Sequence, residues 1–224
     1  MQKEYYEAYD DRYRQIHQQG LQWFSESPSA IVEDTIRSFS ISSQSKILEI
    51  GCGEGRDACF LLKQGFDLLA TDVSQEAIAF CRERFSDFAE HFQVLDCISG
   101  ECGGKFCFIY AVAVLHMLVA DRDRTAFYRF IREHLTPDGL ALICTMGDGS
   151  FELQSDIRTA FEIQERIHGQ TGKSVQIAGT SCRVVSFDTF HRELKENGFA
   201  IVEEGNTSVA PDFPQMMFAV VRVR

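Results

Sequence analysis

Two periods alternate along this chain. Short, solidly apolar runs bounded by turn residues fall near 46–50, 67–71, 92–95, 106–114 and 139–146. Runs of that length and composition read as strands buried on both faces. Between them the apolar positions recur at three- and four-residue spacings, over Asp57–Gly65, 75–86 and 122–135. In the last of these Phe127, Phe130, Ile131, His134 and Leu135 share one face, and Ser74 is placed to cap the helix over 75–86. Upstream, Tyr5, Tyr6, Tyr9, Tyr13 and Ile16 give residues 3–18 a helical pattern, and Pro28 suits the first turn of a second helix ending at Phe39. Near the other end Asp188–Asn197 reads as a helix stopped by Gly198, followed by strands Phe199–Glu204 and Met216–Val223. Such alternation predicts an α/β fold, a mostly parallel sheet covered by helices on both faces.

Residues 147–187 are not needed by that pattern. Phe151–His168 is expected to be helix-like, and Ser174–Ala178 and Cys182–Phe187 are β-rich. Ligands on open α/β sheets bind beyond the carboxyl ends of the strands, and this segment leaves from such an end. It is therefore read as a substrate lid working with the N-terminal helix, the alternative being a peripheral decoration or a dimer surface. Within it, Gly169-Gln170-Thr171-Gly172-Lys173-Ser174 ends like a phosphate-binding loop. That motif needs a glycine where Ile167 stands and a strand before it, so a β-turn through Thr171-Gly172 is the plainer reading.

The chemistry concentrates at Gly51-Cys52-Gly53-Glu54-Gly55, which directly follows the run Lys46–Ile50. Strand, glycine turn and helix together let backbone approach a ligand with no Cβ in the way. A dinucleotide fingerprint would place another glycine at position 56, which here is Arg. Asp72 stands 21 residues beyond Gly51, at the end of the second apolar run. An acid there is suited to accept from ribose hydroxyls. A nucleoside ligand is thus favoured over a pyrophosphate-bearing one. The competing reading of Asp72 is an Asx turn that caps a helix.

These residues, with Thr71-Asp72-Val73-Ser74, Val94-Leu95-Asp96, Val114–Leu118 and Leu135-Thr136-Pro137-Asp138-Gly139, resemble the class I S-adenosylmethionine-dependent methyltransferases. The stretch Gly51–Asp57 is most similar to the small-molecule branch with tellurite-resistance and thiopurine-type enzymes. The resemblance covers roughly residues 44–145. It implies a Rossmann-like, seven-stranded, mostly parallel sheet with an antiparallel last strand, and S-adenosylmethionine as cofactor with S-adenosylhomocysteine as product. It divides one methyltransferase domain, 1–224, into an N-terminal helical lid (1–40), a cofactor-binding core (41–146), the insertion (147–187) and a C-terminal helix and hairpin (188–224). By the same resemblance Glu49, Gly51, Cys52, Gly53 and Gly55 border the methionyl part, Asp72 holds the ribose and Val73 packs on adenine. Asp96 accepts from the adenine amino group, Cys97 offers its backbone N–H, and Ala111 and Val112 line the methionine side. Tyr9, Tyr13, Arg14 and Trp23 are candidates to close over the amino-acid end, where an arginine fork suits a carboxylate; the tyrosines equally fit the apolar face of a helix.

Methyl transfer from a sulfonium chiefly needs alignment and desolvation. A base enters only when the nucleophile arrives protonated. His116, just past the fourth strand, is the candidate catalytic base, with a backbone-satisfied loop histidine as its alternative. His168 is a weaker substrate-side candidate. Arg158, Arg166, Lys173 and Arg183 gather positive charge in the insertion, which admits an anionic small acceptor, although solvated surface cations give the same pattern. A net charge of −11 argues against nucleic-acid and anionic-membrane binding. No apolar run reaches membrane-spanning length and the start of the chain lacks a secretory pattern, so a soluble cytoplasmic protein, monomer or homodimer, is expected. Eight cysteines without metal-ligand spacing read as reduced, mostly buried thiols with no metal. The function expected is methyl transfer to a small molecule. A non-catalytic cofactor-binding or regulatory domain and a nicotinamide-dependent oxidoreductase are the alternatives.

Overall fold

The structure is a computed structural model that describes residues 3–23, 26–209 and 213–224. A 3-10 turn, Tyr5–Glu7, leads into α1 (Ala8–His17), and α2 (Ala30–Ser38) precedes the first strand. Then come β1 (Ile47–Ile50), α3 (Arg56–Lys63), β2 (Leu68–Asp72), α4 (Gln75–Arg84), β3 (Phe92–Val94), β4 (Phe106–Val112), α5 (Asp121–His134) and β5 (Leu135–Met146). The insertion carries β6 (Leu153–Gln154), β7 (Ile163–Ile167), β8 (Ser174–Ala178) and β9 (Arg183–Val184), before α6 (Phe187–Glu196), β10 (Phe199–Val209) and β11 (Phe213–Val223) close the fold.

Seven strands form one sheet in the order β10-β11-β5-β4-β1-β2-β3. Pairing is parallel from β3 to β5, whereas β11 runs antiparallel to both β5 and β10. The solid apolar runs follow from this: side chains on both faces of a strand are covered. Ile109, Ala111, Ile143 and Val221 pack against Phe127 and Ile131 of α5 and Phe190 and Leu194 of α6. The opposite face, with Phe108, Tyr110, Leu142 and Val220, packs against Ile31 and Ile36 of α2, Leu61 and Leu62 of α3 and Ile78 of α4. A class I methyltransferase-type sheet with an antiparallel last strand is therefore the fold observed.

The insertion departs from its expected secondary structure. Phe151–His168 is not helical: it holds β6, a 3-10 turn at Ile157–Thr159, and β7, which pairs antiparallel with β8. Ile163 and Ile167 stand four residues apart, a spacing that fits one face of a strand as well as a helix turn; in the structure both are exposed. The Gly169–Lys173 stretch is the tip of this hairpin, closed by His168 N–H donating to Lys173 O and Gly172 N–H donating to His168 O, both 2.8 Å. Of Cys182–Phe187 only Arg183–Val184 is strand, because Ser186 caps α6 by accepting from the Thr189 N–H.

Candidate functional site

The carboxyl ends of β1, β2 and β4 open into a cavity, the position where open α/β sheets bind their ligands. Its floor is the glycine turn. Gly51, Gly53 and Gly55 have φ of +73°, +54° and +77°, a region that L side chains avoid. Gly51 and Gly53 line the cavity and Gly55 does not. A Cβ on Gly55 would meet Cys81 Sγ and Phe85 at 2.9 Å, so that glycine serves the packing of α3 on α4.

The acids at the strand ends are held locally. The Asp72 carboxylate accepts from Gly53 N–H at 2.9 Å and from Ser74 N–H at 2.8 Å. One carboxylate thus ties the glycine turn to the start of α4 while also forming the Asx turn. Burial pushes its pKa up, and those two backbone N–H groups pull against the rise. Asp96 accepts from Ile98 N–H, Ser99 Oγ and Tyr6 Oη. Glu49 is buried on the cavity wall beside the Tyr110 hydroxyl, and neither its Oε2 nor that hydroxyl makes a hydrogen bond of normal geometry. Burial, and then the neighbouring Asp57 carboxylate, push the Glu49 pKa well above the usual range. Cys52, Val73, Cys97 and Val112 also line the cavity, whereas Ala111 lies beneath it in the sheet core.

The N-terminal helix closes one side. Tyr6, Tyr9 and Tyr13 stand on the wall, three and then four residues apart and so on one helix face. Several bonds seat the helix there. Tyr5 Oη donates to Asp123 and receives Val119 N–H and Ala120 N–H. Asp10 accepts from Ser74 Oγ and Glu76 N–H. His17 bridges Glu54 of the glycine turn, at 3.0 Å, and Glu76 of α4, at 2.9 Å, and stacks on Phe80. Burial opposes a charged ring there, but the two carboxylates outweigh it and raise the His17 pKa. Tyr6, Glu54, Asp57, Met117, Leu118 and Phe213 also line the cavity, beyond the site residues named from sequence. Tyr6 was legible as the third member of the tyrosine stripe. Phe213 opens β11, far along the chain, and carried no local signal.

Other candidates lie elsewhere. Arg14 turns away from the cavity and pairs with Asp10 and Asp11 on its own helix. Trp23 packs outside the cavity wall, edge-on to His168 and beneath the Arg12 guanidinium, while its backbone N–H donates to Glu54. His116 is buried off the wall, with Nδ1 unpartnered and its ring edge-on to Phe213. Burial, with the Arg124 and Arg12 cations, pushes its pKa down to about 3. His168 staples the β7–β8 hairpin to the N-terminal segment through Thr171 Oγ1 and Gln22 O. Arg158 is exposed and paired with Asp156, and Arg183 donates to Val119 O and pairs with Asp121.

Among the described residues none of 147–187 lines the cavity. The insertion instead buttresses the helix that does. Arg12 donates to Ala178 O and Gly179 O, Gln15 Oε1 receives Ala178 N–H, and Tyr9 Oη donates to Ser181 O. Among the described residues no group of three or more His, Cys, Asp or Glu is placed to hold a metal ion, and no helix is long and apolar enough to cross a membrane.

A seven-stranded sheet of this order, with a glycine turn and strand-end acids around one cavity, is the architecture of the class I methyltransferase fold. A family model described as a methyltransferase domain matches residues 17–204, and the chain belongs to that family. Over 55 residues it is 36% identical to a Haemophilus influenzae protein named "Probable S-adenosyl-L-methionine-dependent methyltransferase TehB", a match spanning 25% of this chain and 19% of that protein. In fold it is similar to the glycopeptide N-methyltransferase MtfA complexed with S-adenosyl-L-methionine, with a TM-score of 0.64, 21% identity, and 91% of this chain and 96% of that one covered. It is also similar to the Burkholderia thailandensis 1,6-didemethyltoxoflavin-N1-methyltransferase, with a TM-score of 0.66, 16% identity and coverage of 100% and 91%.

Proposed function

We propose that this protein transfers a methyl group from S-adenosylmethionine to a small-molecule acceptor by in-line displacement. The observation that carries the reading is the wall of the cavity. Glu49 Oε2 is buried there without a hydrogen bond of normal geometry, an arrangement a protein tolerates where a ligand supplies the missing donor. An ammonium group suits it, since a cation lowers the cost of ionising a buried carboxylate. Glu49 and the glycine turn would therefore hold the methionyl end of the cofactor, and Asp72 the ribose. Asp96, with Cys97 N–H, would hold the adenine. The cofactor supplies a methyl group already activated by a positively charged sulfur.

The protein's own work is then positional. Tyr9 and Tyr13 cover the cavity from the α1 side, and the hairpin behind α1 keeps them there. Excluding water strengthens every charge interaction inside and fixes the reacting groups in line. His116 transfers no proton in this reading. Its imidazole is neutral and off the wall, and it backs Phe213, which is on the wall.

Native mass spectrometry of the purified protein, followed by a metabolite screen with isotope-labelled methyl donor, tests the proposal. S-adenosylhomocysteine bound at one equivalent and at least one labelled product are expected. Bound cofactor without product from any extract would leave a cofactor-binding domain, and absence of cofactor binding would remove the reading altogether.

A further inference from the structure

Among the described residues the insertion lines none of the cavity, yet one corner of it reaches two segments that do. Ser40, Ala113 and Thr180 are the described non-glycine residues with positive φ, and Thr180, at +61°, is the β-branched one. A branched Cβ makes that conformation costly, and such a residue persists only where its surroundings over-determine it. Here they do. Thr180 N–H donates to Ala160 O and Gly179 N–H to Glu162 O, both at 2.8 Å. On the other side of the corner Cys182 N–H donates to Ser155 Oγ at 2.8 Å. The Thr180 hydroxyl folds back onto Gly179 O at 2.7 Å.

The corner delivers Ser181 into the interior, 1% exposed, where it holds two segments at once. Its carbonyl accepts from Tyr9 Oη at 3.3 Å, and its hydroxyl donates to Met117 O at 2.8 Å. Tyr9 and Met117 both line the cavity, one from α1 and the other from the turn after β4, and Met117 packs against the cluster of Tyr9 and Tyr13. The two ends of this helical segment are anchored differently. Tyr6, at its entry, donates to Asp96, and His17, at its end, bridges Glu54 and Glu76. Between those anchors the Thr180-Ser181 corner fastens the middle of α1 to the turn after β4.

We propose that Thr180 and Ser181 are positioning residues, a strained corner that pins α1 over the cavity and so sets how fast the cofactor enters and leaves. This rests on the reading of the cavity as the S-adenosylmethionine site. The strain has a use in such an arrangement. A residue at position 180 free of strain would let the corner drift from Tyr9 and Met117, stabilising the insertion while loosening closure, the trade that strained functional sites show. The insertion thereby governs a cavity it does not line.

Release of isotope-labelled S-adenosylmethionine, chased with unlabelled S-adenosylhomocysteine, is measured beside thermal melts of the ligand-free protein. Thr180→Gly should melt no lower than wild type, because glycine adopts the left-handed region without strain. It should nevertheless release the label about three- to ten-fold faster, the factor carried by one hydrogen bond. Tyr9→Phe removes the bond to Ser181 O and should quicken release by a similar factor, with Thr180→Gly/Tyr9→Phe no faster than the faster single variant. Ser181→Ala, which frees Met117 O, should also quicken release. Leu194→Val, a core change on α6, should lower the melting temperature and leave release unchanged. Wild-type release rates in Thr180→Gly and Ser181→Ala, additive effects in the double variant, or equal acceleration in Leu194→Val overturn the positioning role. So does a Thr180→Gly protein that melts well below wild type, since the corner would then serve stability only. A wild-type protein that retains no labelled S-adenosylmethionine overturns the reading of the cavity as the cofactor site instead.

Discussion

Gly51→Ala separates two demands that the opening glycine of the turn meets at once. Its φ is +73°, and a Cβ there would sit 2.3 Å from Val114 Cγ2. An L-residue in the left-handed region costs about 1–2 kcal/mol, and forcing extra volume into a packed contact costs about 1–3 kcal/mol more. Val114 can yield only toward the cavity it lines, because elsewhere it packs in the buried cluster with Ile50, Ala111 and Leu115. The sum, about 2–5 kcal/mol, is a large share of the roughly 5–15 kcal/mol that holds a domain folded. Gly20 isolates the backbone part, since its φ is +67° and nothing lies within 4 Å of its missing Cβ. Gly20→Ala should therefore cost only about 1–2 kcal/mol.

Urea unfolding of Gly51→Ala, Gly20→Ala, Val114→Ala and Gly51→Ala/Val114→Ala measures each contribution. The double variant should recover about 1–3 kcal/mol of coupling, the steric share alone. The clash also pushes Val114 toward the cavity it lines, so S-adenosylhomocysteine should bind Gly51→Ala more weakly and regain affinity in the double variant. If Gly51→Ala proves no costlier than Gly20→Ala, or Val114→Ala brings no relief, the turn does not need this glycine for close packing.

His17→Gln tests the latch between α1 and the glycine turn. The folded pKa of His17 is raised, so its contribution is complete below the ordinary imidazole value of about 6.5 and is lost as pH rises through the folded pKa; thermal melts should show wild type losing its advantage over the variant across that window, and a pH-independent difference would refute the assignment. Glu49→Gln removes a carboxyl whose raised pKa makes ionisation destabilising above its unfolded value, so the ligand-free variant should melt higher at pH 8 than wild type while binding S-adenosylhomocysteine at least about ten-fold more weakly, as for a lost charge-assisted hydrogen bond. Arg124→Met leaves Glu193 half-partnered and removes the guanidinium donor from the Leu115 and Leu118 carbonyls, of which Leu115 keeps the Leu118 N–H; denaturant titration should show a loss of about 3–5 kcal/mol, partly recovered in Arg124→Met/Glu193→Leu.

What could be read from the sequence was local. The turn, Asp72 and Asp96 sit at strand ends, and their partners lie within the motif or at the next strand end, as Gly53, Ser74, Ile98 and Ser99 show. Helix phase already contained the correction for Arg14: one position beyond Tyr13 is about a quarter turn away from the tyrosine face, and Asp10 and Asp11 stand at the spacings that claim it. Trp23 follows the end of α1, where no periodicity constrains direction. The insertion folds as short strands where its spacing suggested a helix. Its arginines suggested a ligand, yet their partners Asp121 and Asp156 lie outside the cavity, and an ion pair between distant residues such as Arg183 and Asp121 leaves no periodic trace.

The apolar wall of the cavity was hidden for the same reason, and this bears on how the proposed site would work. Met117 follows β4, Tyr9 belongs to α1 and Phe213 begins β11, three stretches of chain that only the folded sheet brings to one wall. The proposed cofactor end is built from single turns that tie Asp72 to the glycine geometry. The proposed acceptor end is assembled from side chains on separate elements. The proposed function therefore predicts that substitution at Met117, Leu118 or Phe213 shifts acceptor preference while cofactor binding persists, which acceptor turnover measured beside S-adenosylhomocysteine affinity checks.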